Sequence, residues 1–168
     1  MSGHDEKVTL LLIRHASAGK RNQWSGVDSD RPLDPPGQLQ AERLAEIFGN
    51  NPIALIYSSQ ALRCQQTVAP LARKSNTKTL LHGALFEGNH RKLIDLIRYL
   101  AKETTGDKTL VLCSHGDVIP EALRELVTDG MKADTKLRCG KGSVWELHVE
   151  SEQVVSGIYH PMATKNPS

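Results

Sequence analysis

The chain has 168 residues and a mass of 18.5 kDa, and we expect one domain over residues 1–168 with its core at about residues 8–161. Its composition, 39% hydrophobic and 24% charged, is ordinary for a globular protein. A formal net charge of +2 is too small to predict binding to nucleic acid or to a membrane surface, so an anionic ligand would have to be attracted by a local cluster of charge.

The first predicted strand is the continuous apolar run Val8–Ile13, a pattern typical of a strand buried on both faces. The segment from His15 to Pro36 is rich in Gly, Ser, Asp and Pro and predicts a long loop. Because it directly follows a buried strand, this loop favours a functional role. An amphipathic helix is predicted next, with its apolar face formed by Leu39, Leu44, Ile47 and Phe48.

Strands and helices alternate along the rest of the chain. Strands are predicted at 53–57, which we expect to be buried, at 79–81 and at 109–113. Helices are predicted from about residue 59, at 90–102 and at 118–127. Two alternating segments, 143–149 and 153–160, predict a hairpin, and the preceding Gly140–Ser143 predicts a tight turn because it lacks the spacing of a phosphate-binding P-loop. This order predicts an α/β fold of three layers, a mostly parallel central sheet with helices on both faces.

The ends of three predicted strands carry residues that suit phosphate chemistry. Arg14 and His15 follow the first strand, Arg63 lies one turn into the helix after the second, and His115 follows the strand at 109–113. Alone, such an arginine is more often a surface ion pair and such a histidine an ordinary hydrogen-bonding residue. Because ligands bind at the carboxyl ends of strands in these sheets, the four residues together predict an anion site with an imidazole nucleophile or base.

Three motifs in this order resemble those of the histidine phosphatase superfamily, also called the phosphoglycerate mutase-like family. They are LIRHA at 12–16, SSQALRCQQT at 58–67 and SHG at 114–116. The family patterns are an RHG box, an S-x-x-x-x-R-x-x-Q-T element and a late SHG box, and Ala16 replaces the usual glycine of the first. The resemblance spans Val8 to about Pro161 and implies a phosphoglycerate mutase-like fold.

Two further segments resemble particular branches of that family. The element RPLDPPGQLQA at 31–41 is similar to the RPL-T-x-x-G-x-x-Q-A element of the branch that contains the phosphohistidine phosphatase SixA. The segments HASAGKR, SHGDVIP and KGSVW are similar to the phosphatase half of actinobacterial proteins that join a Nudix domain to a histidine phosphatase. No Nudix motif occurs in this chain.

The resemblance implies a role for each of the four core residues. His15 is the expected nucleophile, which forms a phosphohistidine intermediate, and Arg14, Arg63 and His115 are expected to bind the phosphate. Guanidinium groups are cationic at physiological pH and match phosphate geometry, so we expect neither a metal nor another cofactor. The sequence has no HxH or HExxH motif and no dense Asp cluster near these boxes.

Four outer residues are expected to act on the leaving group and on the rest of the substrate. Glu87 lies where the family places its general acid, a role that needs a raised carboxyl pKa. Lys20, Arg21 and Lys141 are candidates for extending the anion site towards a second phosphate or an acidic partner, or else are solvated surface cations.

The expected activity is a metal-independent phosphatase that acts on a phosphate ester, either a small metabolite or a nucleotide. Glu87 favours this interpretation over a phosphohistidine protein phosphatase of the SixA type, because phosphohistidine is a good leaving group and needs little help from an acid. A phosphoglycerate-type mutase and a non-catalytic phosphate-binding module are the remaining alternatives. The partner is therefore a phosphorylated small molecule or a phosphohistidine protein.

Cysteine content predicts a cytoplasmic location. The three cysteines, Cys64, Cys113 and Cys139, form no CxxC pair and fit a reducing compartment. The apolar run Val8–Ile13 is too short to span a membrane.

Overall fold

A computed structural model describes residues 6–162, so the two ends of the predicted domain, 1–5 and 163–168, lie outside the described residues. The strands are β1 (Val8–Arg14), β2 (Ile53–Ser58), β3 (Thr79–Leu81), β4 (Lys108–Ser114), β5 (Lys132–Ala133), β6 (Val144–Glu150) and β7 (Gln153–His160). The helices are α1 (Pro35–Phe48), α2 (Leu62–Ser75), α3 (His90–Glu103) and α4 (Ile119–Thr128), with short 3-10 turns at Arg21–Gln23, Asp28–Asp30 and Gly83–Leu85.

The strands form one sheet in the order β3-β2-β4-β1-β6-β7-β5. Strands β3, β2, β4 and β1 run parallel to one another, whereas β6 pairs antiparallel with both β1 and β7. The carboxyl ends of β1, β2 and β4 therefore meet at one edge of the sheet. The predicted α/β fold, with a mostly parallel sheet, is confirmed.

Helices cover both faces of the sheet, as β1 shows. Its alternate side chains Leu10 and Leu12 pack with α3 and α4, while Leu11 and Ile13 pack with α1 and α2. All four are at most 1% exposed, and each contributes about 1.5–3 kcal/mol by burial. This anchoring on two faces fixes the end of β1, where Arg14 and His15 follow.

Helix α1 begins earlier than the sequence predicted. The Asp34 side chain accepts a hydrogen bond from the Gly37 amide, so Asp34 caps a helix whose first residues are Pro35 and Pro36. The predicted apolar face is also partly wrong, because Leu39 and Ile47 are 62% and 49% exposed. Small residues replace them against the sheet, and the buried face consists of Gly37, Ala41, Leu44, Ala45 and Phe48.

Two other details differ from the prediction. Strand β2 is only partly buried, with Ala54 exposed, because the short edge strand β3 covers only its last three residues, Ile56–Ser58. Strand β5 was not predicted, since two residues carry no periodic pattern. The hairpin of β6 and β7 is confirmed, with its turn at Ser151 and Glu152 in left-handed backbone. Among residues 6–162, no helix is both long and apolar enough to cross a membrane.

A close approach between α1 and the loop after β1 gives the first prediction. A Cβ atom on Gly37 would lie 1.9 Å from the carbonyl oxygen of Ser17. Gly37→Ala should therefore push the loop away and lower the free energy of unfolding by about 1–3 kcal/mol, the usual cost of overpacking. Urea denaturation measures this loss.

The matched control is Gly83→Ala, because a Cβ at Gly83 meets no atom within 4 Å. An equal loss of stability in the two variants would show that the contact between Gly37 and Ser17 is not what restricts position 37.

Candidate active site

His15 lies at the end of β1 with its ring held in one orientation. The ring is buried, and its Nδ1 lies 2.9 Å from the carbonyl oxygen of Ala16. A carbonyl only accepts hydrogen bonds, so Nδ1 carries the proton and Nε2 keeps its lone pair. This is the tautomer that a nucleophilic imidazole needs.

Burial and neighbouring cations keep this ring neutral. The pKa of His15 falls from 6.5 to about 3. Desolvation is the largest cause, the charges of Arg63, His115 and Arg14 act in the same direction, and the hydrogen bond to Ala16 opposes them. At physiological pH the imidazole is therefore unprotonated at Nε2, as nucleophilic attack requires.

Side chains of α1 and α2 hold the backbone that follows His15. The Thr67 hydroxyl accepts a hydrogen bond from the Ala16 amide and donates one to the Arg63 carbonyl.

The Gln40 side chain accepts from the Ser17 amide. The carboxylate of Asp34 accepts from the Ser17 hydroxyl and the Gly19 amide. The motif residues outside the reactive set thus position the loop.

The predicted turn at Gly140–Ser143 is confirmed and also supports the site. Gly142 has a φ of 75°, and the Ser143 amide donates to the Gly140 carbonyl at 3.0 Å. The Gly142 amide donates to the His15 carbonyl at 3.0 Å, and the Arg14 amide donates to the Ser143 carbonyl at 3.1 Å. This turn therefore fixes the two residues at the end of β1 from the side opposite β4.

The guanidinium of Arg14 is partly buried and lies against Gly116. Its Nη1 donates to the Cys139 carbonyl at 2.7 Å. A Cβ on Gly116 would lie 2.5 Å from the Arg14 Cζ, so only glycine leaves room for this guanidinium. Its buried Nε–H has no hydrogen-bond partner among the described residues.

The Arg63 side chain is 1% exposed and makes several ion pairs and hydrogen bonds. Its Nη2 lies 3.0 Å from Glu87 Oε1 and 3.2 Å from Asp28 Oδ2, and its Nη1 donates to the Asp28 carbonyl. Its Nε–H, like that of Arg14, is buried without a partner among the described residues. A buried donor without a partner is costly, so these two groups indicate a site for an acceptor such as phosphate.

His115 faces His15 across the site, with ring centroids 5.4 Å apart. Its Nε2 lies 2.9 Å from the Ser59 hydroxyl, and its Nδ1 lies 3.4 Å from Arg63 Nη2. These contacts fix the orientation of the His115 ring.

Glu87 is bound by two arginines in this structure. Its Oε2 accepts from Arg21 Nη2 at 2.9 Å, and its Oε1 accepts from Arg63 Nη2 at 3.0 Å. Partial burial raises the pKa of Glu87, but the hydrogen bond from Arg21 and the charges of His115, Arg21 and Arg63 outweigh it, so the pKa lies below its ordinary value. This direction is opposite to the one a general acid needs.

All eight residues predicted from the sequence line one cavity of about 480 Å³. They are Arg14, His15, Lys20, Arg21, Arg63, Glu87, His115 and Lys141. Buried Arg31 and exposed Asp117 also line it. The cavity wall thus contains six basic side chains but only two carboxylates, which favours an anionic ligand.

Two residues that shape this site were not selected from the sequence. Asp28 lies within hydrogen-bonding distance of Arg21, Arg31 and Arg63, at 3.1, 3.1 and 3.2 Å. Arg31, although part of the RPL element, was not assigned to the site, and its Nη1 donates to the Ala18 carbonyl. One cue to Asp28 was its place in a polar loop after a buried strand, but the partners of a loop residue are set by the fold.

The arrangement of the side chains also bears on metal binding. Within residues 6–162, no group of three or more His, Cys, Asp or Glu side chains has an arrangement that could hold a metal ion. His15 and His115 are instead surrounded by arginines, whose positive charge opposes the binding of a cation.

Known proteins match this chain in sequence and in fold. The sequence model of the histidine phosphatase superfamily (branch 1) matches residues 10–93. An 8-oxo-(d)GTP phosphatase of Mycolicibacterium smegmatis is 28% identical over 155 residues, which make up 90% of this chain and 47% of that protein. The chain thus spans less than half the length of this curated relative.

Solved structures of phosphatases have the same fold. The protein histidine phosphatase SixA complexed with tungstate has a TM-score of 0.72 at 18% identity, with 92% of this chain and 96% of that one covered. A mycobacterial glucosyl-3-phosphoglycerate phosphatase has a TM-score of 0.68 at 16% identity, with 94% and 99% covered. At these identities the likeness shows the fold alone, and it confirms the predicted phosphoglycerate mutase-like architecture.

The low pKa of His15 predicts a specific dependence of stability on pH. In the unfolded chain the ring protonates below about pH 6.5, whereas in the folded chain it stays neutral down to about pH 3. Unfolding therefore takes up a proton in this window, and the wild type loses stability as the pH falls. His15→Gln removes that loss. The free energy of unfolding of this variant, relative to that of the wild type, should therefore rise as the pH falls from about 7.5 to about 4.5.

Urea denaturation at several pH values, without phosphate in the buffer, measures this difference. His90→Gln is the control, since it removes an exposed histidine at the start of α3. If His15→Gln and His90→Gln show the same pH dependence, the ring of His15 does not stay neutral in the folded chain.

Proposed function

The chain belongs to the histidine phosphatase superfamily (branch 1), and we propose that it is a metal-independent phosphatase that hydrolyses a phosphate ester through a phosphohistidine on His15. One observation carries the proposal. The neutral imidazole of His15 lines the same cavity as two arginines, Arg14 and Arg63, each with a buried Nε–H that lacks a partner among the described residues. A phosphoryl group beside Nε2 would bring equatorial oxygens that could accept from both.

In the first step, the lone pair of His15 Nε2 attacks phosphorus and the bond from phosphorus to the leaving oxygen breaks. The electron pair of that bond stays on the leaving oxygen, which takes a proton from the carboxyl of Glu87 when the leaving group is an alkoxide. The bond between Nδ1–H and the Ala16 carbonyl stabilises the positive charge that develops on the ring. Arg14 and Arg63 offset the charge on the phosphoryl oxygens.

In the second step, water attacks the phosphohistidine from the side that the leaving group has vacated. Glu87, now ionised, accepts a proton from this water, the bond between Nε2 and phosphorus breaks, and its electron pair returns to Nε2. Inorganic phosphate leaves, and the neutral ring of His15 is restored. His115, whose ring faces that of His15, would lie beside a phosphoryl oxygen in both steps.

The charge that the reaction needs comes from the protein. Guanidinium groups remain protonated at any physiological pH, and Arg14 and Arg63 are held by carbonyl and carboxylate partners that limit their motion. Phosphoryl transfer depends mainly on positioning and charge stabilisation, and these residues supply both.

The substrate that we favour is a small phosphorylated metabolite or a nucleotide. The basis of this choice is the position of a carboxyl at Glu87, which in its protonated form would supply the proton that an alkoxide needs when it leaves. The relative from Mycolicibacterium smegmatis is named an 8-oxo-(d)GTP phosphatase, and this name describes a nucleotide substrate.

The three cysteines are free thiols in the structure, which supports a reducing compartment such as the cytoplasm.

A phosphohistidine protein is the second candidate substrate. In the structure both oxygens of Glu87 are bound by arginines, so no protonated acid faces the site. A substrate with an imidazole leaving group would react without that acid. The two candidates differ in one respect, the need for a proton from Glu87.

The covalent step predicts a labelled histidine. With a ³²P-labelled phosphate ester in buffer containing EDTA, the wild type should turn over and carry an acid-labile, base-stable label. His15→Ala should lose both the turnover and the label, because Nε2 is the attacking atom. Rapid quench with alkaline gel analysis measures the label, and His90→Ala is the control. A label on Ser, Cys or Asp, or activity that EDTA abolishes and a divalent ion restores, would overturn the mechanism.

The role of Glu87 predicts a dependence on the leaving group. Glu87→Gln should slow the hydrolysis of a sugar phosphate by about 10²–10⁴-fold, the contribution of a general acid, and that of 4-nitrophenyl phosphate far less. The physical reason is that nitrophenolate leaves without a proton. Steady-state rates on both substrates measure the ratio.

Glu42→Gln is the matched control, because Glu42 is exposed and pairs with Arg73 between α1 and α2. An equal loss on both substrates would make Glu87 a binding residue. No loss on either would exclude it from the reaction and favour a phosphohistidine substrate.

A further inference from the structure

Four charged side chains form a closed ring at the mouth of the cavity. Glu87 binds Arg21 and Arg63, and Asp28 binds the same two arginines. The four distances lie between 2.9 and 3.2 Å. The ring connects the turn at Arg21–Gln23, the turn at Asp28–Asp30, helix α2 and the loop that contains Glu87.

This ring leaves Glu87 without a proton to donate. Each carboxylate oxygen accepts a charge-assisted hydrogen bond, Oε2 from Arg21 and Oε1 from Arg63. Such bonds at both oxygens favour the ionised form. For Glu87 to protonate a leaving group, at least one of the two guanidinium groups has to move away.

The two arginines differ in their freedom to move. The side chain of Arg63 is 1% exposed, and its Nη1 is also bound to the Asp28 carbonyl. The side chain of Arg21 is 62% exposed, and its contacts with Glu87 and Asp28 are ion pairs near the surface. Exposed ion pairs contribute little stability, so the bond between Arg21 and Glu87 exchanges for another anion at low cost.

We propose that Arg21 gates Glu87, so that the enzyme prefers phosphate esters that carry a second anionic group. The second group, a phosphate or a carboxylate, takes the guanidinium of Arg21 and thereby frees Oε2 of Glu87 to carry the proton for the leaving oxygen. With a monophosphate ester that lacks a second anion, Arg21 stays bound to Glu87, and Glu87 stays ionised. This inference rests on the proposed function and specifies its substrate class.

The surroundings of Arg21 support a second anion subsite. Arg21 Nε lies 3.1 Å from Asp28 Oδ1, and in the proposed gate the side chain pivots about this contact when Nη2 turns away from Glu87. Asp28 is itself held by buried Arg31. Exposed Lys20 and Lys141 line the same cavity and add positive charge at its rim.

Other titratable groups also lie near Glu87. Arg63 from α2 and His115 after β4 face it from inside, and Asp117 accepts a hydrogen bond from the Gly88 amide beside it. Loss of the Arg21 bond removes one cation from Glu87, and the phosphate of the substrate adds negative charge. Both changes raise the pKa of Glu87 towards the value that an acid needs.

Two matched substrates test the gate: propane-1,3-diol monophosphate and propane-1,3-diol bisphosphate. The wild type should prefer the bisphosphate in kcat/KM by roughly 10²-fold, at the low end of a general-acid contribution. In Arg21→Gln the monophosphate should react faster than in wild type, and the basic limb of its pH–rate profile should move to higher pH because Glu87 holds its proton longer. The preference should then fall towards unity.

Two further variants complete the experiment. Arg73→Gln removes an exposed arginine that pairs with Glu42 and should behave as wild type on both substrates. Arg21→Lys keeps the charge but not the forked geometry, so it should retain part of the preference. Circular dichroism shows that each variant is folded.

The outcomes separate the inference from the proposed function. If Arg21→Gln raises KM for the bisphosphate but leaves the monophosphate rate and its pH profile as in wild type, Arg21 only binds substrate and the gate is overturned. An absence of preference in the wild type also overturns it. If the wild type fails to hydrolyse 4-nitrophenyl phosphate in EDTA, the proposed function itself fails.

Discussion

The rest of the site depends on one constraint. The guanidinium groups of Arg14 and Arg63 line the same cavity as the neutral imidazole of His15, which follows a buried strand. Moving a cation out of water costs several kcal/mol unless it is paired. Arg63 meets this cost with Asp28 and Glu87, and Arg14 meets part of it with a backbone carbonyl. Each arginine still has one buried donor unsatisfied among the described residues. A bound anion could accept from these donors and offset the positive charge of both side chains.

The same positive charge tunes His15, the nucleophile that we propose. Burial and nearby cations make an imidazolium at His15 unfavourable, so the ring remains a base at Nε2. The hydrogen bond to Ala16 fixes the tautomer, and Thr67 on α2 in turn fixes the Ala16 amide. Reactivity at one nitrogen therefore depends on a series of hydrogen bonds that runs from helix α2 to the backbone after β1.

An inner and an outer part of the cavity have different physical properties. Inner Arg14 and Arg63 are buried or partly buried and tied to backbone carbonyls, which suits tight and uniform binding of one phosphoryl group. Outer Arg21 is exposed and paired with carboxylates whose bonds exchange readily with other anions. In the mechanism that we propose, the inner part binds the phosphoryl group that all phosphate esters share, and the rim selects between esters.

The sequence by itself determined the sheet edge and eight of the residues that line the cavity. Continuous apolar runs identify parallel strands, and the carboxyl ends of such strands meet, so His15 and His115 could be brought together without coordinates. Only the tertiary structure decided the partners of those residues. Arg21 and Glu87 are 66 positions apart, and nothing in their local patterns predicts an ion pair. Asp28 was missed because its contacts depend on how the polar loop folds over α2. Periodicity reports which face of an element is buried, whereas pairing between loops depends on the three-dimensional path of the chain.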